Sequence, residues 1–162
     1  MKTKIKNGFT LVELLVYMAL MGMFLVVLLE IFTLTISTKL SSQSTSSLAY
    51  DGRYILSKLS YEIKHADSVL IPSLGVTAST LQLVSGGVAS TYSLSSGNLI
   101  KTTAGNSQSL NGLDTNIDTI TFKNIGNSGG KPTIQINYVI SSKILVSGGN
   151  QTQTISTTVG LR

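Results

Sequence analysis

Few side chains in this 162-residue chain have the type and spacing to do chemistry. His65 is the one imidazole, so a Ser-His-Asp relay would need it together with Asp67 or Asp51 and one of many serines. No Gly-x-Ser-x-Gly elbow between a strand and a helix supports such a relay. Near a helix end, His65 reads as a surface or dipole-facing residue. Asp114-Thr115-Asn116-Ile117-Asp118 has the oxygen spacing that opens a calcium loop. However, Thr119 stands where the sharp turn needs glycine, and Ile125 where the bidentate glutamate belongs. Gly126-Asn127-Ser128-Gly129-Gly130-Lys131 is glycine-rich, but Pro132 follows the lysine, so it is not a phosphate-binding loop. With no cysteine, neither a disulfide nor a thiolate metal site is available. No metal, cofactor or catalytic residue is expected. The remaining candidate is Glu13, a lone carboxylate near the start of a long apolar run. A charged side chain at the middle of a membrane helix costs about 2.5–3.5 kcal/mol, and somewhat less near an end. Glu13 therefore asks for a cationic partner.

The segment around it is distinctive. Lys2, Lys4 and Lys6 form a basic leader that runs through Asn7 into Gly8, and the apolar run begins abruptly at Phe9. An ordinary secretory signal cleaves after its apolar core, at a small-x-small site, and keeps acids out of that core. Here the glycine precedes the core and the acid lies within it. Gly8-Phe9-Thr10-Leu11-Val12-Glu13-Leu14-Leu15-Val16 closely resembles the processing and methylation motif of type IV prepilins and of the pseudopilins of type II secretion systems. The resemblance implies that a prepilin peptidase cuts between Gly8 and Phe9 and methylates the new amino terminus of Phe9. It also implies that Glu13 meets the amine of a neighbouring subunit's Phe9, so that two charges costly in hydrocarbon offset one another. Asn7 departs from the lysine or arginine that often precedes the glycine.

The formal net charge is +5, from 12 basic and 7 acidic residues. Without the three leader lysines the balance is nine against seven, too even to neutralise a phosphate backbone, so no nucleic-acid partner is expected. Phe9 to Ile36, interrupted by Glu13 and Glu30, exceeds the roughly 20 residues that span a bilayer. The leader lysines on one side and Lys39 alone on the other put the leader in the cytoplasm and the remainder outside.

These residues need elements to hold them. Phe9 to Ala66 reads as one long helix: a membrane-spanning or filament-core part to Ile36, then residues 37–66 as a neck and an amphipathic half. Residues 37–47 are rich in Ser and Thr, whose hydroxyls compete for backbone groups, and are read as a helical neck with bending or fraying as the alternative. Leu48, Ile55, Leu59, Ile63 and Ala66 form one apolar stripe, with Leu56 at its border. Glu62 falls on the same arc and is expected at its rim, paired with Lys58. Tyr50, Tyr54 and Tyr61 form a flanking stripe, read first as core edge and second as a subunit contact. Major pilins often carry proline where Glu30 stands.

From Pro72 the period changes to two. Strands are expected at Thr80–Ser85, Val88–Leu94, Asn98–Thr103, Asp118–Lys123, Thr133–Val146 and Gln151–Val159, with hairpin turns at Gly86-Gly87, Ser96-Gly97 and Gly148-Gly149. Residues 104–117 and 124–132 are read as loops, and 67–162 as an antiparallel β domain. The order resembles the pilin fold, an α+β arrangement in which the second half of a long helix packs on an antiparallel sheet. Arg53-Tyr54-Ile55-Leu56 through Glu62-Ile63-Lys64-His65-Ala66, Thr91-Tyr92-Ser93-Leu94 and the ending Thr157-Thr158-Val159-Gly160-Leu161-Arg162 are similar to minor pseudopilins, the J-type in particular.

The resemblance implies a structural subunit, not an enzyme, whose partners are other pilins or pseudopilins, a prepilin peptidase, a membrane assembly platform and, before assembly, the bilayer. The rival from a different class is a binding module held by an uncleaved single-pass anchor.

Overall fold

The computed structural model describes residues 10–146 and 148–162, and within it the chain divides into two compact units, Met1–Lys39 and Leu40–Arg162. One helix, α1 (Leu11–Lys64), contributes to both. Thr10 caps it: its hydroxyl accepts the Glu13 N–H at 3.3 Å, the Thr-x-x-Glu arrangement that satisfies a free amide of the first turn. Along the first part, from Leu11 to Ile36, the large apolar side chains remain 44–78% exposed. Among the described residues nothing covers that surface.

The neck is helical throughout and neither frays nor breaks. Thr33, Thr35, Ser37 and Thr45 turn their hydroxyls back onto carbonyls three or four residues earlier, at 2.8–3.0 Å. Hydroxyls that would compete with the helix are thus accommodated inside it. Gln151 adds a clamp on the same stretch, accepting from Thr45 at 2.8 Å and donating to Ser41 at 3.3 Å.

In the second unit the helix lays its stripe on two antiparallel sheets, where one was expected. The first orders β1 (Ser68–Ile71), β3 (Leu81–Ser85), β4 (Val88–Ser95), β5 (Asn98–Thr103) and β6 (Asn106–Ser109). The second orders β2 (Thr77–Ala78), β7 (Thr115–Asn124), β8 (Thr133–Ser142) and β9 (Thr152–Gly160). Leu48, Ile55, Leu59, Ile63 and Ala66 are all buried, as the stripe requires, and Leu56 is half-buried. They meet Leu81, Tyr92 and Leu99 of the first sheet and Phe122, Ile134, Ile136, Tyr138 and Ile140 of the second in one core. Burying each such side chain contributes about 1.5–3 kcal/mol, so this stripe dominates the attachment of helix to sheets.

Three strands escape the period-two reading because they are short: β1, β2 and β6 hold four, two and four residues. The strand expected at Thr133–Val146 stops at Ser142, where Lys143 turns its N–H to the Asp114 carbonyl at 2.8 Å. β7 begins earlier than expected and carries a bulge, its register slipping between Ile117 and Thr119. The slip lets Ile117 and Ile120 both point inward and leaves Asp118 outside, accepting from Asn116 at 2.9 Å and Ser141 at 2.8 Å.

Two-residue turns join β3 to β4, β4 to β5 and β5 to β6. Gly86-Gly87, Ser96-Gly97 and Ala104-Gly105 all have positive φ, the left-handed pair that matches the strand twist. Gly97 (φ 76°) is doubly constrained, since a Cβ there would lie 1.7 Å from Asn116 Oδ1, whereas Gly105 (φ 82°) opens onto free space. Gly105→Ala is expected to cost about 1 kcal/mol through conformation alone. Gly97→Ala should add about 1–3 kcal/mol of overpacking. Denaturant unfolding of the two variants in detergent measures the difference; equal losses would contradict the contact with Asn116.

Candidate functional site at the amino-terminal helix

Gly8, Phe9, Lys2, Lys4 and Lys6 lie outside the described residues, and Glu13 is within them. The Thr10 cap puts Glu13 in the first turn of α1, with an exposed side chain. Its Oε1 accepts the Tyr17 hydroxyl at 3.2 Å, one turn further on. Among the described residues no cation pairs with it, since both ion pairs found there belong to Glu62. The helix dipole favours a carboxylate in this turn by about 0.3–1 kcal/mol. A hydrogen bond to a charged carboxylate adds at most about 1.5–3 kcal/mol, and 3.2 Å is long for a hydroxyl donor. Against a membrane cost of about 2.5–3.5 kcal/mol at mid-helix, these soften the penalty without replacing a counter-charge.

The helix that carries Glu13 is the one described helix long and apolar enough to cross a membrane. No group of three or more His, Cys, Asp or Glu side chains among the described residues could hold a metal. Asp118 sits in the β7 bulge, where it accepts from Asn116 and Ser141, and Asp114 lies in the loop before the strand. Gly126 to Gly130 spell Gly-x-Ser-x-Gly in letters, but they join two strands, so no helix follows to make an elbow. His65 is exposed at the helix end, its Nδ1 2.8 Å from the Tyr61 carbonyl and its ring stacked on Tyr61 at 4.2 Å. Asp67 instead accepts the Gly86 N–H at 2.6 Å. No relay forms.

Asp51 is a structural residue that sequence reasoning considered only as a relay partner. It is buried, accepting the Gly112 N–H at 2.8 Å and the Thr115 hydroxyl, and so ties the loop before β7 to the helix. Gly52 beside it lets the helix approach β9, since a Cβ there would lie 2.8 Å from Ile155 Cδ1. Its carbonyl accepts the buried Tyr138 hydroxyl at 2.6 Å. Both residues fall between Leu48 and Ile55 on the stripe, at helical spacing, which is the signal that could have found them.

The tyrosines correct another expectation. Tyr50, Tyr54 and Tyr61 are 72, 41 and 59% exposed, so they are not core edge. They project from the side of the helix turned away from the stripe. Glu62 pairs with Lys58 at 3.2 Å as expected, but more closely with Lys101 of β5 at 2.6 Å. Burial raises the Glu62 carboxyl, while hydrogen bonds and charge from Lys101 and Lys58 outweigh it, and the net shift is downward. The buried Tyr92 phenol, with the Lys101 ammonium 5.8 Å from its ring centre, is pushed up by burial and by the Glu62 charge.

Residues 3–29 match the family model described as "Prokaryotic N-terminal methylation motif". The match takes in Gly8, Phe9 and Glu13 and supports a type IV pilin-like chain. No curated protein and no solved structure matches the sequence. The α+β arrangement itself, a long apolar amino-terminal helix whose second half packs on antiparallel sheets, is pilin-like.

The lowered Glu62 carboxyl has a consequence for acid stability. Its stabilising contribution is fully present above the unfolded carboxyl value of about 4.3 and is lost as pH falls through the lower folded value. Glu62→Gln should therefore be less stable than the parent at pH 7, with the gap closing below about pH 4. Unfolding midpoints measured from pH 2 to 7 check this; a gap independent of pH would refute it.

Proposed function

We propose that this protein is a structural subunit, of the minor kind, of a type IV pilus or a type II secretion-like pseudopilus. A prepilin peptidase cuts between Gly8 and Phe9 and methylates Phe9, removing residues 1–8 with Lys2, Lys4 and Lys6. The helix from Phe9 onward is held in the cytoplasmic membrane with the β domain outside, until an assembly platform packs it among neighbouring helices. Van der Waals contact of the exposed Leu11–Ile36 surface with other helices, in place of lipid, drives that packing. Pairing of Glu13 with a neighbour's Phe9 amine sets its register.

The observation that carries this reading is Glu13 itself: a first-turn carboxylate on an apolar helix, inside a methylation motif, with no cation beside it among the described residues. A partner from another molecule supplies what the helix end does not. The minor, J-type assignment rests on the weaker likeness beyond residue 36 and on Glu30 in place of the helix-breaking proline. Low cellular abundance relative to a major subunit is its check.

The mass of the purified protein tests processing directly. Loss of eight residues with gain of a methyl group is expected, while the full mass would favour the uncleaved tether. Gly8 replaced by a bulkier residue should leave the precursor uncut. Glu13→Ala should insert normally yet enter filaments at least about tenfold less, the scale on which stranding a charge acts. Normal incorporation of Glu13→Ala would overturn the assigned role.

A further inference from the structure

β9 is an open edge of the second sheet, with β8 on one side and no strand on the other among the described residues. Contacts just beyond its two ends fix which way its backbone groups point. The Ser142 N–H donates to the Gln151 carbonyl at 2.9 Å and the Leu161 N–H to the Pro132 carbonyl at 3.0 Å, both in the register that pairs Thr133 with Gly160. Odd-numbered residues of β9 therefore bond to β8, and the N–H and C=O groups of Thr152, Thr154, Ser156, Thr158 and Gly160 point away from it. These residues are all exposed. The next outward amide, that of Arg162, donates to the Lys64 carbonyl at 3.3 Å, where the helix end closes the edge. From Thr152 to Gly160 no described residue accepts from the outward amides.

Long natural edges are blunted by a charge, a proline or a bulge, because an open ladder recruits other chains. Between Thr152 and Gly160 there is no charged residue, no proline and no slip in register. The other sheet edges are protected by shortness, since β1, β2 and β6 hold four, two and four residues.

We infer that β9 accepts an extended segment of another protein, which adds to the four-stranded second sheet as a further strand. Only an extended backbone offers donors and acceptors at the two-residue spacing of this edge. The nine residues of β9 set its length, about 30 Å of strand. No charge lies between Gln151 and Leu161, so an incoming charge finds no counter-charge along the strand. Thr152, Thr154, Ser156 and Thr158 instead line the exposed face with hydroxyls, which pair across strands with threonine, serine and β-branched neighbours. The occupant is accordingly an uncharged segment rich in those residues. The open edge stands whatever the amino-terminal helix does, while the foreign origin of the strand rests on the minor-subunit reading, under which second copies are scarce.

Hydrogen exchange at single amides of the full-length chain tests this, read in membranes of its native cells and in the chain purified alone in detergent. In the purified chain the Thr154, Ser156 and Thr158 amides should exchange freely, and in native membranes at least about tenfold more slowly. Equal rates in the two would overturn the inference. Slowing that builds in the purified chain as its concentration rises would put a second copy on the edge, and the foreign strand would fall. Ser156→Pro removes one outward N–H and leaves the β8 ladder whole. That variant should keep an unfolding midpoint near the parent's and lose the slowing at Thr154 and Thr158. Slowing that survives in the folded variant would show a cover other than a paired strand, again against the inference. Should Ser156→Pro fail to fold, Thr154→Lys combined with Thr158→Lys sets charges on the edge and should free the Ser156 amide. A Ser156 amide still slowed there would count the same way. High cellular abundance would remove the minor-subunit reading, and slowing confined to native membranes would still support the added strand.

Discussion

One continuous helix has to satisfy two different surroundings, and the placement of almost every other side chain answers that demand. Before Ile36 its apolar residues run around the whole circumference and find no cover among the described residues. After Leu40 the apolar content narrows to a stripe, and Leu48, Ile55, Leu59 and Ile63 vanish beneath two sheets. A helix apolar all round suits lipid or a bundle of other helices, and one apolar along a stripe suits a single packed face. The change of pattern therefore fixes which half belongs to the β domain and which half is left for something else.

The polar contacts do a different job from the stripe. The neutral ones are worth about 0.5–1.5 kcal/mol each and those to a charged group about 1.5–3, no more than one fully buried aliphatic side chain. They are spaced along the helix and reach separate parts of the sheets: Gln151 at Ser41 and Thr45, Asp51 at Gly112 and Thr115, Tyr138 at Gly52, Lys101 at Glu62. An apolar stripe alone could slide or roll on a sheet. Four fastenings at different levels leave one position. Gly52 belongs to the same scheme, as the place where the helix approaches β9 most closely for want of a side chain.

Much of this was legible from residues alone, for physical reasons that differ by element. The helix and its stripe follow from a sustained 3.6-residue period, and β3, β4, β5, β8 and β9 from alternation bounded by glycine turns. β1, β2 and β6 were not visible because two to four residues cannot establish a period. The turn at Ala104-Gly105 was missed because alanine is a poor advertisement for a left-handed conformation. The bulge at Asp118 hid the start of β7, since a one-residue slip breaks the alternation it would be read by. Hydroxyls in the neck left bending open, because their competition with the helix is real in isolation, and back-bonding resolves it here. At the candidate site, the need of Glu13 for a partner was readable from one acid in an apolar run. The cap at Thr10 and the Tyr17 hydroxyl beside it came only with coordinates.

The three successive two-residue turns divide the work of folding unevenly between the sheets. β4, β5 and β6 each join a strand just laid down, so the loop entropy given up at each step is as small as a hairpin allows. The second sheet instead must bring β2 to β7 across β3, β4, β5 and β6 in sequence, and it is complete only when β9, almost at the chain's end, adds to β8. A meander of nearest neighbours is thus available early to shelter part of the helix, while Ile134, Ile136 and Tyr138 close the remainder late.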